Sequence, residues 1–206
     1  LPEIEENLVY GISQQGSSCV ISGLLPTPAL SVCINKLNNP EIAAIQITAS
    51  HNPYQDNGMK FFDFKGEKIS SQIQKKMEEN ILQGDVNFSD NIIEKNIDYS
   101  FRDSYRLFIQ DYLIRKITHT SDYEPMNIIV DCANGAYSDI IKTLFSDDFI
   151  NIITINDKPN GKNINLECGA TDTREIENLI KSTNKNSAKN KSYNKKPLYI
   201  DFGLAI

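Results

Sequence analysis

Apolar runs rich in β-branched residues recur along this chain at SCVIS (18–22), AAIQIT (43–48), NIIVDCA (127–133), FINIITIN (149–156) and PLYIDFG (197–203), and segments of helical periodicity separate them. Short runs of Ile, Val and Thr suit a pleated, buried strand, whereas apolar residues returning at helical spacing make one greasy face of a helix. The helical patterns cover Thr27–Leu37, roughly Ser70–Leu82, Ala136–Phe145 and Thr173–Lys181. Strand and helix in alternation leave few packings open, because successive parallel strands need a crossover that covers the sheet. The expected fold class is therefore α/β, with two consecutive three-layer α/β units built on mainly parallel mixed sheets.

Local signals sharpen this outline. Thr27 can cap its helix with Pro28 in the first turn, and Asp172 and Glu175 have the spacing of a capping box. The polar stretch GDVNFSDNIIEKNIDY (84–99) breaks the periodicity. Phe101, Tyr105, Phe108, Tyr112 and Leu113 then mark a longer helix up to about Ile117, and SDYEP breaks the chain again. These breaks predict a first unit over 1–96 and a second over 97–206, connected by the helix from about Ser100. The segment from Lys181 to Pro197 carries six lysines and no acid. It reads as a solvated loop rather than an anion-binding patch.

Charge and hydropathy exclude whole classes of function. A net charge of -6 over 206 residues argues against nucleic-acid binding. No run of eighteen apolar residues offers a membrane span, and the acidic start LPEIEENLVYG is unlike a signal peptide. A soluble cytoplasmic protein is expected. Cys19, Cys33, Cys132 and Cys168 lack CxxC spacing, and only His51 and His119 could complete a metal site. They are expected to be reduced, mostly buried thiols.

Polar chemistry concentrates in TASHNPYQDNGMK (48–60), which follows the strand AAIQIT. Asn52-Pro53 and Asn57-Gly58 are turn signals, so Ser50, His51 and Lys60 share one loop and its return. The loop is expected at the carboxyl edge of a parallel sheet, where α/β proteins place ligands. A serine hydroxyl is a poor nucleophile without a base, a metal or an attached phosphoryl group. His51 and Lys60 offer positive charge to phosphate oxygens, and Lys60 can exchange protons. Phosphoryl chemistry fits these residues better than a hydrolase triad, because GxSxG is absent and His51 adjoins Ser50. A polar turn without chemistry remains open on these residues alone.

The stretch Ser50–Lys60 resembles the active-site serine loop of the α-D-phosphohexomutase superfamily, TASHNP followed by NGxK. LLPTPAL (24–30) precedes it and FFDFKGEKI (61–69) follows it; IIVDCANGAY (128–137), PNGKNINLECGATD (159–172) and DFGLAI (201–206) resemble, in order, the second domain of the superfamily's phosphoglucosamine mutase branch. The resemblance implies that Ser50 carries the catalytic phosphoryl group. That group passes to O1 of glucosamine 6-phosphate, and the 1,6-bisphosphate returns its 6-phosphoryl to serine. It further implies that Lys60 is the general acid/base and that His51 and Asn52 organise the phosphoserine. Mg2+ is implied in the complete enzyme, held by the phosphoserine and by aspartates of a DGDGDR loop. The implied partner is a hexosamine phosphate, on the route to UDP-N-acetylglucosamine and cell wall.

The sequence also departs from that pattern. It contains neither FGTDGIRG, GRDTR nor DGDGDR, so it is expected to cover most of the first two family domains and to be inactive alone. Ser104, in FRDSY, stands where the family usually has arginine. A phosphomannomutase/phosphoglucomutase and a non-catalytic α/β module are the alternatives. Asp201-Phe202-Gly203 spells the kinase DFG without its companions, and reads instead as the end of a buried strand. Asn134-Gly135 and Asn160-Gly161 are expected to be turns, and His119 has no assigned role.

Overall fold

In the computed structural model the backbone is described for residues 2–84, 96–117, 125–145, 150–189 and 198–206, and it alternates helix and strand. Its residues group into two units, Leu1–Thr48 with Asn57–Tyr105, and Ala49–Asp56 with Arg106–Ile206. The mixed α/β class holds.

The first unit contains α1 (Pro2–Gln14), β1 (Val20–Ile21), α2 (Thr27–Leu37), β2 (Ala44–Thr48), β3 (Gly58–Phe62), α3 (Ser71–Gln83) and β4 (Asn96–Ile97). Leu30 and Ile34, one turn apart on α2, pack with Ala44 and Phe62, and Ile42 and Phe101 close over this cluster. Gly66 lets the turn after β3 approach α2. Its φ is +73, and a β-carbon there would lie 2.1 Å from the Ser31 carbonyl oxygen. The Ser31 hydroxyl donates to the Gly66 carbonyl at 2.5 Å. Ser70 caps α3 by accepting from the Ile73 amide at 3.3 Å.

Three expectations for this unit change. Thr27 is the first helical residue and not the cap. Pro26, extended at φ -67 and ψ 146, takes that position, and its carbonyl accepts from the Ala29 amide. β2 pairs antiparallel with β3, Ala44 opposite Phe62 and Thr48 opposite Gly58, while β1 and β4 are the parallel pair among the described residues of this unit. The serine loop is thus a hairpin connection and not the edge of a parallel sheet, because the chain between Thr48 and Gly58 is shorter than the dozen residues a crossover needs. The acidic N-terminus forms α1, which no periodicity argument anticipated. Glu3 and Glu5 in its first turn suit the positive end of the helix dipole.

The helix α4 (Ser100–Ile117) has the bounds its periodicity implies and leads into β5 (Met126–Asp131), α5 (Ile141–Leu144), β6 (Ile150–Ile155), α6 (Arg174–Lys189) and β7 (Phe202–Ala205). The three strands form a parallel sheet in the order β6-β5-β7. Central β5 is buried from Ile128 to Asp131, and Ile129 packs with Ile176 of α6 and with Ile200.

The helix expected over 136–145 shrinks to α5. Ala133 and Asn134 adopt φ 50 and 49, so the chain turns first, and the Ser138 hydroxyl bonds the Gly135 carbonyl. The Asn134-Gly135 segment is a turn as read, and Asn160-Gly161 is a bend that the Asn160 side chain closes by accepting from the Lys162 amide. Over 181–189 the lysine-rich segment is helical, not a loop; 190–197 lie outside the described residues. Asn184 explains the extension: its side chain accepts from the Ile200 amide at 2.7 Å and donates to the Ile200 carbonyl at 3.0 Å. The Ser187 hydroxyl bonds the Leu198 carbonyl.

No capping box forms at Asp172. That carboxylate accepts from the backbone and guanidinium of Arg174, while Glu175 accepts from the Asn156 amide. Strand β7 starts at Phe202 and lies at the sheet edge with Phe202 and Leu204 each 46% exposed, so DFG does not end a buried strand. Cys33, Cys132 and Cys168 are buried free thiols, and Cys19 is half-buried. His119 lies outside the described residues. Among those described, no helix is long and apolar enough to cross a membrane.

Candidate active site

Ala49, 6% exposed, anchors the chain as it leaves β2, and Ser50 then turns outward with φ 55. A left-handed backbone is uncommon for a residue with a β-carbon and costs about 1–2 kcal/mol. The strained residue is the one that the sequence singles out. The Asn52 amide closes the turn onto the Ala49 carbonyl at 3.0 Å, and the Asp56 amide closes the next onto Pro53 at 3.0 Å. Ser50, His51 and Asn52 are all exposed. Residues 49–56 group with the second unit, although their flanking strands belong to the first.

One residue of the second unit holds this turn. The Asn165 side-chain amide donates to the carbonyls of both Ser50 and Asn52, each at 2.9 Å. Asn165 is in turn fixed through its backbone amide, which donates to the Ala133 carbonyl at 3.0 Å. Ala133 is fixed by Asp131, a carboxylate with no exposed surface at the end of β5. Its Oδ1 accepts from the Ala133 amide and its Oδ2 from the Gly169 amide, both at 2.9 Å. Gly169, at φ 74, has no room for a side chain, since a β-carbon would lie 2.5 Å from that of Ala133. A buried carboxylate satisfied by backbone donors thus pins the loops that present Asn165.

Asparagines brace the rest of this loop. The Asn134 side chain accepts from the Lys158 amide and donates to the Asn163 carbonyl, while Asn160 accepts from the amides of Lys162 and Asn163. Asparagine suits such turns because its short amide imitates a backbone group and tolerates positive φ. Beneath them, burial first and then the nearby Asp157 and Asp131 push the Cys132 thiol up to about 12. Burial and then Asp131 raise Cys168 too. Neither thiol is a nucleophile at neutral pH.

Lys60 belongs to the first unit. It lies on β3 opposite Gln46, half-buried, on the face that Phe62 and Ala44 turn towards α2. The Gln46 side chain reaches the Leu25 carbonyl at 3.4 Å, so this end of the hairpin adjoins the segment leading into α2. Among the described residues no three His, Cys, Asp or Glu side chains gather into a metal site. The sequence reading gave Asn165 and Asp131 no role. The only available signal was their setting, an asparagine-rich NGKNIN loop and an acid ending an apolar strand.

Residues 2–87 match the family model for the α/β/α domain I of phosphoglucomutase/phosphomannomutase. The chain is 36% identical over 185 residues to a phosphoglucosamine mutase of Aliarcobacter butzleri, covering 86% of this chain and 40% of that protein. It is 32% identical over 212 residues to a phosphoglucosamine mutase of Caldicellulosiruptor saccharolyticus, covering 98% and 41%. The chain therefore spans about two fifths of the length of these relatives. Its fold is similar to a solved phosphoglucomutase/phosphomannomutase family protein of Burkholderia thailandensis, with a TM-score of 0.63, 19% identity and coverage of 89% and 39%.

Proposed function

This chain belongs to the α-D-phosphohexomutase superfamily, and on that footing we propose that it is the serine-loop part of a phosphoglucosamine mutase. Ser50 carries the reading. The residue in the TASHNP motif is also exposed and left-handed at φ 55, and such backbone outliers persist where surrounding structure enforces them for function. The match to the family's domain I includes this residue.

In the proposed reaction the phosphoserine P–O bond breaks as O1 of glucosamine 6-phosphate bonds phosphorus, with Lys60 moving the proton between O1 and the seryl oxygen. The bound 1,6-bisphosphate then returns its 6-phosphoryl to Ser50 and leaves glucosamine 1-phosphate. His51 and Asn52 organise the phosphoryl oxygens. The Mg2+ expected in the complete enzyme would neutralise phosphate charge. This chain fits it poorly by itself: no metal cluster exists among the described residues and DGDGDR is not in the sequence, which leaves the Ser50 phosphoryl as its one contribution. In this reading residues 1–96 and 97–206 correspond to family domains 1 and 2, and the product feeds UDP-N-acetylglucosamine synthesis in the cytoplasm.

The family model and the solved neighbour bear the wider phosphoglucomutase/phosphomannomutase name, so the sugar is the point to test. The enzyme translated from the complete coding sequence is assayed with glucosamine, mannose and glucose phosphates. Preferred, Ser50-dependent turnover of the glucosamine phosphate is expected. A preference for mannose or glucose phosphate transfers the assignment to the other branch, and turnover that survives Ser50→Ala removes Ser50 as the carrier.

A further inference from the structure

We propose that Asn165 is a positioning residue that holds Ser50 in its left-handed conformation, so that the seryl oxygen points out of the loop. The inference rests on the phosphoryl-carrier reading of Ser50 for its consequence, though not for its geometry. A serine has no preference of its own for φ 55, and the turn closed by the Asn52 amide places the carbonyls of Ser50 and Asn52 in a loop outside the β2–β3 ladder. The Asn165 amide supplies one donor to each carbonyl, at 2.9 Å. Both carbonyls then point to one nitrogen, which restrains the Ser50–His51 and Asn52–Pro53 peptide planes.

The clamp is itself built to stay still. Asn165 has φ 58, a conformation asparagine tolerates, and its backbone is bonded to Ala133. Asp131, wholly buried, ties Ala133 to Gly169. The sequence separation of 115 residues between Asn165 and Ser50 means that a distant loop adds its hold to the turn's own closing hydrogen bonds.

Two substitutions isolate the amide. Asn165→Gly keeps the left-handed backbone comfortable and removes the donors, and Asn165→Asp keeps the shape but turns a carboxylate towards the two carbonyls. Hydrogen exchange is followed in the 206-residue chain, and kcat and KM in the enzyme from the complete coding sequence. Exchange across residues 49–56 should rise roughly tenfold or more in both variants, with β5 and β6 unchanged. The enzyme should lose kcat by roughly tenfold or more with KM within about twofold, the pattern of a misplaced reacting group. Unchanged exchange in the loop overturns the proposal, as does loss of protection throughout β5 and β6, which would make Asn165 a general fold residue. A preserved kcat overturns it as well. If the unsubstituted enzyme acts on no hexose phosphate, the mutase reading fails, whereas the exchange measurement still decides whether Asn165 clamps the loop.

Discussion

Ser50 combines surface exposure with a backbone that opposes its side chain, and the proposed role of its hydroxyl can be separated from the backbone strain by substitution. Ser50→Ala and Ser50→Gly both delete the hydroxyl, but only glycine is at ease at φ 55. Relief of a left-handed β-carbon is worth about 1–2 kcal/mol, and glycine's extra freedom in the unfolded chain gives back about 0.5–1 kcal/mol. Strain therefore wins narrowly. By urea unfolding, the glycine variant should be more stable than the alanine variant by about 0.5–1 kcal/mol, with both inactive in the complete enzyme. A glycine variant less stable than alanine would mean that the turn stores no strain.

Lys60 poses the other question at this scale, between attracting phosphate and moving a proton. Arginine keeps the charge but does not release a proton at accessible pH. In the complete enzyme, Lys60→Arg should lower kcat by roughly a hundredfold or more if the lysine transfers the proton. Near-normal turnover with an unchanged pH profile would leave Lys60 as an anion clamp and make His51 the candidate acid/base.

Elements were legible in the sequence where short-range periodicity alone decides them. Thr27–Leu37 and Ser100–Ile117 have the bounds their apolar spacing implies, and the helix read over roughly Ser70–Leu82 forms over Ser71–Gln83. Where side chains at long range decide, the sequence was silent. A lysine- and asparagine-rich segment looks solvated, yet Asn184 and Ser187 extend α6 by bonding the backbone of Ile200 and Leu198. The same blindness hid Asn165, whose partners stand more than a hundred residues away. It also hid the hairpin pairing of β2, since a strand's pattern does not name its neighbour. Asn184→Ala tests the α6 case. Ile200 is 2% exposed, so its amide and carbonyl would lose both partners in a buried setting. Each unsatisfied group costs about 1–3 kcal/mol, and urea unfolding should show a loss of at least that size. A change under about 0.5 kcal/mol would mean that water replaces the side chain without penalty.

At the scale of the molecule, carrying a phosphoryl group and turning over a sugar phosphate are separable demands. In the proposed reading the first needs an accessible serine on a held turn, for which this chain offers Ser50, an exposed residue whose carbonyl accepts from Asn165, and Asp131, buried behind the loops that carry Asn165. Turnover needs more, because a transferring phosphoryl group spreads negative charge that must be met by cations and fixed donors while the sugar is gripped at both ends. No metal cluster exists among the described residues, and the chain spans 40% of its Aliarcobacter relative. The 206-residue chain alone should therefore convert glucosamine 6-phosphate no faster than a buffer blank, with or without Mg2+ and a hexose 1,6-bisphosphate primer. The check is a coupled assay for glucosamine 1-phosphate on the purified chain, with its Ser50→Ala variant as control. Mg2+-dependent turnover that disappears in the variant would show that the turn and its supporting loops suffice for the whole relay, and that the charge-neutralising groups must be found among these residues.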